Sequence, residues 1–237
     1  MMSELRDELK RDLQAARTRD PAARSTLEVA LTYPGVHAMW AYRFNHWLWS
    51  HQLTLLARWC SSLTRILTGV EIHPGATLGS GIFIDHALGV VIGETSEVGD
   101  DVTIYQGVTL GGTSLEHGKR HPTIGDRVII GAGAKILGPI TIGEDSRIGA
   151  NAVVVTSVPA NSVVVGIPGR IISRTKPRPL SPVSDIEDGL MPDLIGLSLT
   201  SLAKRVDELE SLAGTELDES HVRPPESGIW SGEDFSI

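Results

Sequence analysis

Asp85 and His86 stand side by side in IFIDHALG, residues 82–89, a stretch otherwise built of aliphatic residues and glycine. An unperturbed histidine titrates near 6.5, so it can take a proton from a hydroxyl at neutral pH, and a nearby carboxylate can fix its tautomer. Other polar residues break the same apolar region: Glu71, His73, Glu94 and Glu97, then His117, Lys119, Arg120 and His121. Three chemistries could use this set. In acyl transfer, His86 is the general base, backbone amides in glycine-rich turns stabilise the oxyanion, and Arg120 suits a carboxylate on the acceptor. Nothing resembles a serine or cysteine nucleophile, so direct attack by the acceptor's own hydroxyl is the simpler scheme. In a zinc-dependent hydration reaction, His117 and His121, four residues apart, would be ligands. In a structural assembly the same histidines would be surface and turn residues, and His73, before Pro74, reads that way in any case.

These residues must be positioned by a scaffold, and the scaffold is a repeat of six. Aliphatic residues recur at Ile72, Leu78, Ile84, Val90, Val102 and Val108, with Ser96 the one lapse, and again at Ile124, Ile130, Ile136, Ile142, Ile148 and Val154. Gly79, Gly125, Gly131, Gly143 and Gly149 directly follow such positions. A period of six fits neither an α-helix nor a long strand; it fits a β-helix whose short strands each turn one aliphatic side chain inward before a corner. The step from Val108 to Ile124 is not a multiple of six, so residues 113–121, TSLEHGKRH, are expected to leave the coil. Loops carried on a rigid scaffold are where binding and catalytic groups concentrate.

On either side the pattern changes. Before residue 70 it is helical: Leu5, Leu9 and Leu13 share a face, Ser25 and Glu28 form a capping box, and YPG at 33–35 stops a segment. Trp40, Phe44, Trp47 and Leu48, then Leu56, Trp59, Leu63 and Ile66, follow at helical spacing and are expected in a core or subunit interface. After residue 172, KPRPLSP reads as a linker, LSLTSLAKRVDELESL as an amphipathic helix with Leu202, Val206 and Leu209 on one face, and the acidic end as a flexible tail. The expected organisation is therefore α+β: helices over 1–69, the coil over 70–172, and linker, helix and tail over 173–237.

A formal net charge of -8 with no run of basic residues argues against nucleic acid as a partner. The lone Cys60, read as a core thiol, cannot form an intrachain disulfide, and the charged SELRDELKRD lacks the apolar core of a signal peptide, so a cytoplasmic protein is expected. Ile148 to Gly169 carries no charge, but Pro159, Pro168, Asn151 and Asn161 argue against a membrane span there.

The segments GVEIHPGATLGSGIFIDHALGVVIGET, VTLGGT and KRHPTIGDRVIIGAGAKILGPITIG, with RDPA and AYRFNHWLW upstream, together resemble serine acetyltransferases, over roughly residues 5 to 172. The DHA.G, GGT and RHP elements are more specific than the hexapeptides. The resemblance implies a helical domain followed by a left-handed parallel β-helix, assembled as a trimer or a dimer of trimers with active sites between neighbouring coils. It implies acetyl transfer from acetyl-CoA to L-serine in cysteine biosynthesis, with no metal. It makes His86 the base, Asp20 and Asp85 contacts for serine, Arg120 and His121 the carboxylate and hydroxyl site, and Gly112, Ala132 and Arg147 the acetyl-CoA site. Where the family has an aspartate paired with the catalytic histidine, this chain has Glu71. L-cysteine is implied as a feedback inhibitor, and Ile237, closing GEDFSI, as the contact to O-acetylserine sulfhydrylase. The alternatives left by the residues are another hydroxyl acceptor on the same coil, a zinc enzyme of the γ-carbonic anhydrase type, and a scaffold.

Overall fold

The computed structural model describes residues 2–174 and, beyond them, 201, 202, 204–206 and 209. Four helices come first: α1 (Met2–Arg19), α2 (Thr26–Thr32), α3 (Pro34–Ser50) and α4 (Thr54–Thr68). Ser25 caps α2, its Oγ accepting the Glu28 amide at 3.1 Å, while the Glu28 carboxylate accepts from the Arg24 amide. Pro34 opens α3, where its missing N–H costs no helical bond. Gly69, at φ 74°, ends α4 in the left-handed conformation and donates to Arg65 O.

The aromatic stripe divides between core and surface: Leu48 is buried, and the half-buried Trp40 packs against the cluster that holds Val29 and Val36. Met39 and Tyr42 are buried, but Phe44, Trp47, Leu56, Trp59, Leu63 and Ile66 are exposed, as are Leu55 and Leu67. The helices thus bury a narrower stripe than the sequence spacing suggests, and the wider apolar face is exposed. Cys60, on α4, is half-buried rather than a core thiol.

From Glu71 onward, fifteen short strands, β1 (Glu71–Ile72) to β15 (Arg170–Arg174), wind into three sheets that form the faces of a prism. The first sheet runs from β1 through β4 (Val91–Ile92), β7 (Thr109–Gly111) and β10 (Lys135–Leu137) to β13 (Val153–Val154); the second runs from β2 (Thr77–Leu78) through β5 (Glu97–Val98) and β8 (Thr123–Ile124) to β11 (Thr141–Ile142); the third runs from β3 (Phe83–Ile84) through β6 (Thr103–Ile104), β9 (Ile129–Ile130), β12 (Arg147–Ile148) and β14 (Ser162–Val165) to β15. All ladders are parallel except the last, β14 (Ser162–Val165) against β15. The inward residues stack in columns: Ile72, Ile92, Leu110, Ile136 and Val154 on the first sheet, and Ile84, Ile104, Ile130, Ile148 and Val164 on the third, all buried. The uncharged stretch from Ile148 lies in this coil, and no helix among the described residues is long and apolar enough to cross a membrane.

An undisturbed turn takes eighteen residues, as between Lys135 and Val153 or Thr123 and Thr141. Two turns are longer. Glu71 pairs with Val91, twenty residues on, because β3 (Phe83–Ile84) and β4 (Val91–Ile92) are joined by two extra residues at the corner that holds Asp85 and His86. Glu97 pairs with Thr123, twenty-six residues on, because the chain leaves the coil between β7 (Thr109–Gly111) and β8 (Thr123–Ile124). The first slip corrects the reading of a single run from Ile72 to Val108. After residue 84 the aliphatic residues at Val90, Val102 and Val108 are corner positions, and the inward strand residues are Ile92, Val98 and Ile104. Ser96 is therefore a buried corner residue beside Val98, and the inward column has no lapse.

The helical segment seals the open end of the coil. The Tyr42 hydroxyl donates to Ala76 O at 2.7 Å and accepts from Leu78 N, and Ser61 Oγ donates to Ile72 O at 2.7 Å. Arg43 donates to Leu78 O at 2.9 Å and to Gly79 O, and also pairs with the fully buried Asp12, which accepts the amides of Gly81 and Ile82. Removing one member of such a buried pair costs on the order of 3–5 kcal/mol, because the other charge is left unpaired. Helices and coil accordingly form one compact unit. In the second unit, residues 201, 202, 204–206 and 209 are helical with exposed side chains, among them Leu202, Val206 and Leu209. The expected linker and Ile237 lie outside the described residues.

Candidate active site

Most of the expected site residues lie on two different edges of the prism, while Glu71 and Arg147 stand on its sheets. On the edge from the third sheet to the first, the two extra residues push Asp85 and His86 out of the coil. His86 and Ala87 both take left-handed backbone angles, φ 56° and 59°. The His86 side chain is 73% exposed, with Nε2 3.7 Å from Asp85 Oδ2. Asp85 is tied to the coil by its amide, which donates to Ile104 O at 2.8 Å. Burial pushes its carboxyl above the usual range; His86 opposes that shift and the Asp20 charge adds to it.

Asp20 reaches this edge from the end of α1. One carboxylate oxygen accepts the Ala22 amide at 2.7 Å and the other accepts the Tyr33 hydroxyl at 2.5 Å. Both oxygens are thus held in place by the chain itself. The Tyr33 hydroxyl is pushed up to about 12, first by loss of water around it and then by its bond to Asp20, so it stays a donor at neutral pH. Sequence reading missed Tyr33, which there served only to mark the stop before Pro34. Tyr105, on the next turn of the same edge, feels Asp85 and Asp20 as well, its hydroxyl raised chiefly by burial.

Glu71 lies on the neighbouring sheet, its amide donating to Val90 O at 2.9 Å. Its carboxylate is held by Arg65 at 3.1 Å, and no hydrogen bond joins it to His86 among the described residues. Ala132 occupies the His86 edge two turns further along, accepting from the Asn151 amide, while Gly112 opens the excursion on another edge and Arg147 begins β12 (Arg147–Ile148) on the third sheet.

The edge from the first sheet to the second carries Arg120 and His121, at the end of the excursion. The Arg120 guanidinium is paired with Glu94, whose carboxyl it holds below the usual range. Lys119 reaches Glu97 at 2.9 Å and Thr95 O at 2.9 Å. His121 is buried, its ring lying against Gly93 and Gly112. Its Nδ1 meets the Thr95 amide at 3.2 Å and the Thr95 hydroxyl at 2.9 Å. Burial, followed by the Arg120 charge, lowers its basicity. His73 sits nearby as a turn residue, Nδ1 accepting the Gly75 amide at 2.9 Å and its ring edge-on to Trp49; burial and Arg58 bring it down to about 4. Between these groups a cleft of about 250 Å³ is lined by Trp49, Gly75, Thr77, Glu94, Thr95, Ser96 and Glu97. His117 stays exposed on the excursion, and no three metal-binding side chains converge among the described residues.

One edge therefore carries an exposed histidine beside Asp85, whose carboxylate feels that of Asp20, and another carries a cation with a buried histidine. A hexapeptide coil bearing such groups at its corners suits an acyltransferase, and residues 121–156 match the family described as bacterial transferase hexapeptide (six repeats). The serine acetyltransferase of Mycobacterium tuberculosis (strain ATCC 25618 / H37Rv) is 62% identical over 229 residues, covering 97% of this chain and 98% of that protein. The serine acetyltransferase of Brucella abortus strain S19, solved in complex with coenzyme A, superposes with TM-score 0.72 at 46% identity, over 73% of this chain and 70% of that one. A serine acetyltransferase solved in complex with cysteine gives TM-score 0.71 at 46% identity, over 72% and 71% of the two chains. This chain belongs to the serine acetyltransferase family, and its coil is the left-handed parallel β-helix of that family.

Proposed function

We propose that this chain transfers the acetyl group of acetyl-CoA to the hydroxyl of L-serine, giving O-acetyl-L-serine and CoA, with His86 as general base. The observation that carries the mechanism is the two-residue insertion that exposes His86 beside Asp85, with Asp20 at the same edge. As the serine oxygen attacks the thioester carbonyl, its proton passes to His86; the C–S bond then breaks and the proton goes on to the departing thiolate. Asp20 and Asp85 suit the ammonium group of serine, and Arg120 its carboxylate. Glu71, one methylene longer than the family's aspartate, orients His86 once it leaves Arg65. Ala132, Gly112 and Arg147 border the acetyl-CoA path, small residues letting the pantetheine arm lie close to backbone.

His86 and Arg120 lie on different edges of one prism, so the complete site needs the edge of a second copy. A trimer supplies three such sites, and the exposed face of α3 and α4 suits further contact between copies, within the trimer or between two trimers. L-cysteine, which shares the ammonium and carboxylate of serine, is read as a competitor for the same pocket. The Ile237 carboxylate is read as the contact to O-acetylserine sulfhydrylase, and the acidic composition and single cysteine suit the cytoplasm.

The test is release of free CoA from acetyl-CoA with L-serine, L-threonine, L-homoserine or a galactoside as acceptor, in the wild type and in His86→Ala. Serine-dependent release that is lost in the variant is expected; release that depends on another acceptor, or survives the substitution, refutes the assignment. Mixed trimers of His86→Ala and Arg120→Ala, each inactive alone, should regain activity at on the order of a quarter of the sites by random assortment. No recovery would place both groups in one chain's site.

A further inference from the structure

The surroundings of His121 determine which of its nitrogens carries the proton. A backbone amide can only donate, so the Thr95 N–H directed at Nδ1 at 3.2 Å requires Nδ1 to be an unprotonated acceptor. The Thr95 hydroxyl agrees. Its oxygen accepts the amides of Arg120 at 3.0 Å and His121 at 3.2 Å, which leaves its own hydrogen for Nδ1 at 2.9 Å. With Nδ1 committed as an acceptor, the neutral ring must carry its hydrogen on Nε2. Among the described residues that atom makes no hydrogen bond; it lies against Gly93 and Gly112, at the edge where the excursion meets the coil. Charging the ring would require placing a proton between Nδ1 and an amide hydrogen, beside the Arg120 and Lys119 cations, with Glu94 already engaged by Arg120.

We propose that Thr95 is a positioning residue that locks His121 as the neutral Nε2–H tautomer, so that His121 serves the reaction as a hydrogen-bond donor to an anionic oxygen of the bound reactants and not as a second base. This deepens the acyl-transfer reading and rests on it for the role, though not for the tautomer. The site then divides its labour: His86, exposed and without such a lock, moves the proton, while His121 holds charge in place.

Two measurements test this. The ring ¹⁵N spectrum of histidine-labelled full-length protein, with His121→Gln used to assign the signal, should show Nε2 protonated and Nδ1 bare. The same pattern is expected in Thr95→Ser, and Thr95→Val should admit the second tautomer. In the CoA-release assay, Thr95→Val should lose about tenfold or more in kcat/KM, with Thr95→Ser near wild type, as expected for a lost hydrogen bond to a reacting group. His121→Gln, whose amide can donate from near the Nε2 position, should retain about tenfold more activity than His121→Asn, which reaches only as far as Nδ1. A proton on Nδ1 in the wild type overturns the proposal, as does equal activity of the Gln and Asn variants. Absence of any serine acetylation would defeat the functional reading alone, because the spectrum reports the tautomer without turnover.

Discussion

Gly93→Ala should damage the site without damaging the fold. A Cβ built on Gly93 would lie 2.0 Å from Cδ2 and 2.1 Å from Nε2 of His121, where real Cβ contacts essentially never fall below 3.0 Å. The ring would have to retreat by roughly 1 Å, and the bonds from Thr95 to Nδ1, already 2.9 and 3.2 Å long, would pass beyond hydrogen-bonding range. Misplacing a reacting or stabilising group by about 1 Å costs on the order of 10²-fold in rate, about 2.7 kcal/mol of transition-state stabilisation. The backbone offers no competing explanation, since Gly93 is not among the residues with positive φ and its amide bond to Leu110 O is compatible with alanine. The assay is the initial rate of CoA release with serine varied at saturating acetyl-CoA, together with the thermal midpoint of each protein. The expected result is a loss near 10² in kcat/KM with the midpoint lowered by only a few degrees, on the order of 2–10 °C. A kcat/KM within about threefold of wild type would refute the argument, because His121 would then be dispensable in its observed place.

Three further outcomes follow from the same geometry. Tyr33→Phe removes the hydroxyl that orients Asp20 and should raise the serine KM about five- to tenfold with little change in kcat, the effect of one hydrogen bond to a charged group; an unchanged KM would dismiss Tyr33. Glu71→Gln should lower kcat with little change in the serine KM, and an unaffected kcat rules out its role as partner of His86. His73, lowered to about 4 in the folded chain against 6.5 in the unfolded one, binds fewer protons folded than unfolded between those values. Its contribution to stability is thus complete above about 6.5 and is lost as the pH falls toward 4. The thermal midpoint should decline across that window, and less steeply in His73→Gln; equal slopes would contradict the assignment.

Much of this was legible in the sequence for a physical reason. A coil of stacked hexapeptides must repeat its inward residue every six positions, so Ile124 to Val154 announce the fold without any tertiary information. The shift at the His86 corner was hidden because strand and corner positions are both aliphatic: Val90 and Val102 continue the count, and only Ser96 betrays that it has changed series. The excursion was visible because eight added residues break the period outright. The roles of Thr95 and Tyr33 were not legible, since each depends on a contact with a residue 26 or 13 positions away that no local period encodes. The aromatic helices were readable as apolar faces but not as exposed ones, because the same spacing serves a chain's own core and a contact with another chain.

The sealing of the first turn by Tyr42, Arg43 and Asp12, and the closing antiparallel strand at the other end, make the coil a modular ruler. Parallel turns without terminators would recruit further chains end to end and grow as fibres. With both ends closed, the interior is free to vary in length. An added eighteen-residue turn spliced between β10 (Lys135–Leu137) and β13 (Val153–Val154) would lengthen the prism by one layer, leaving the His86 and His121 corners and both terminators untouched.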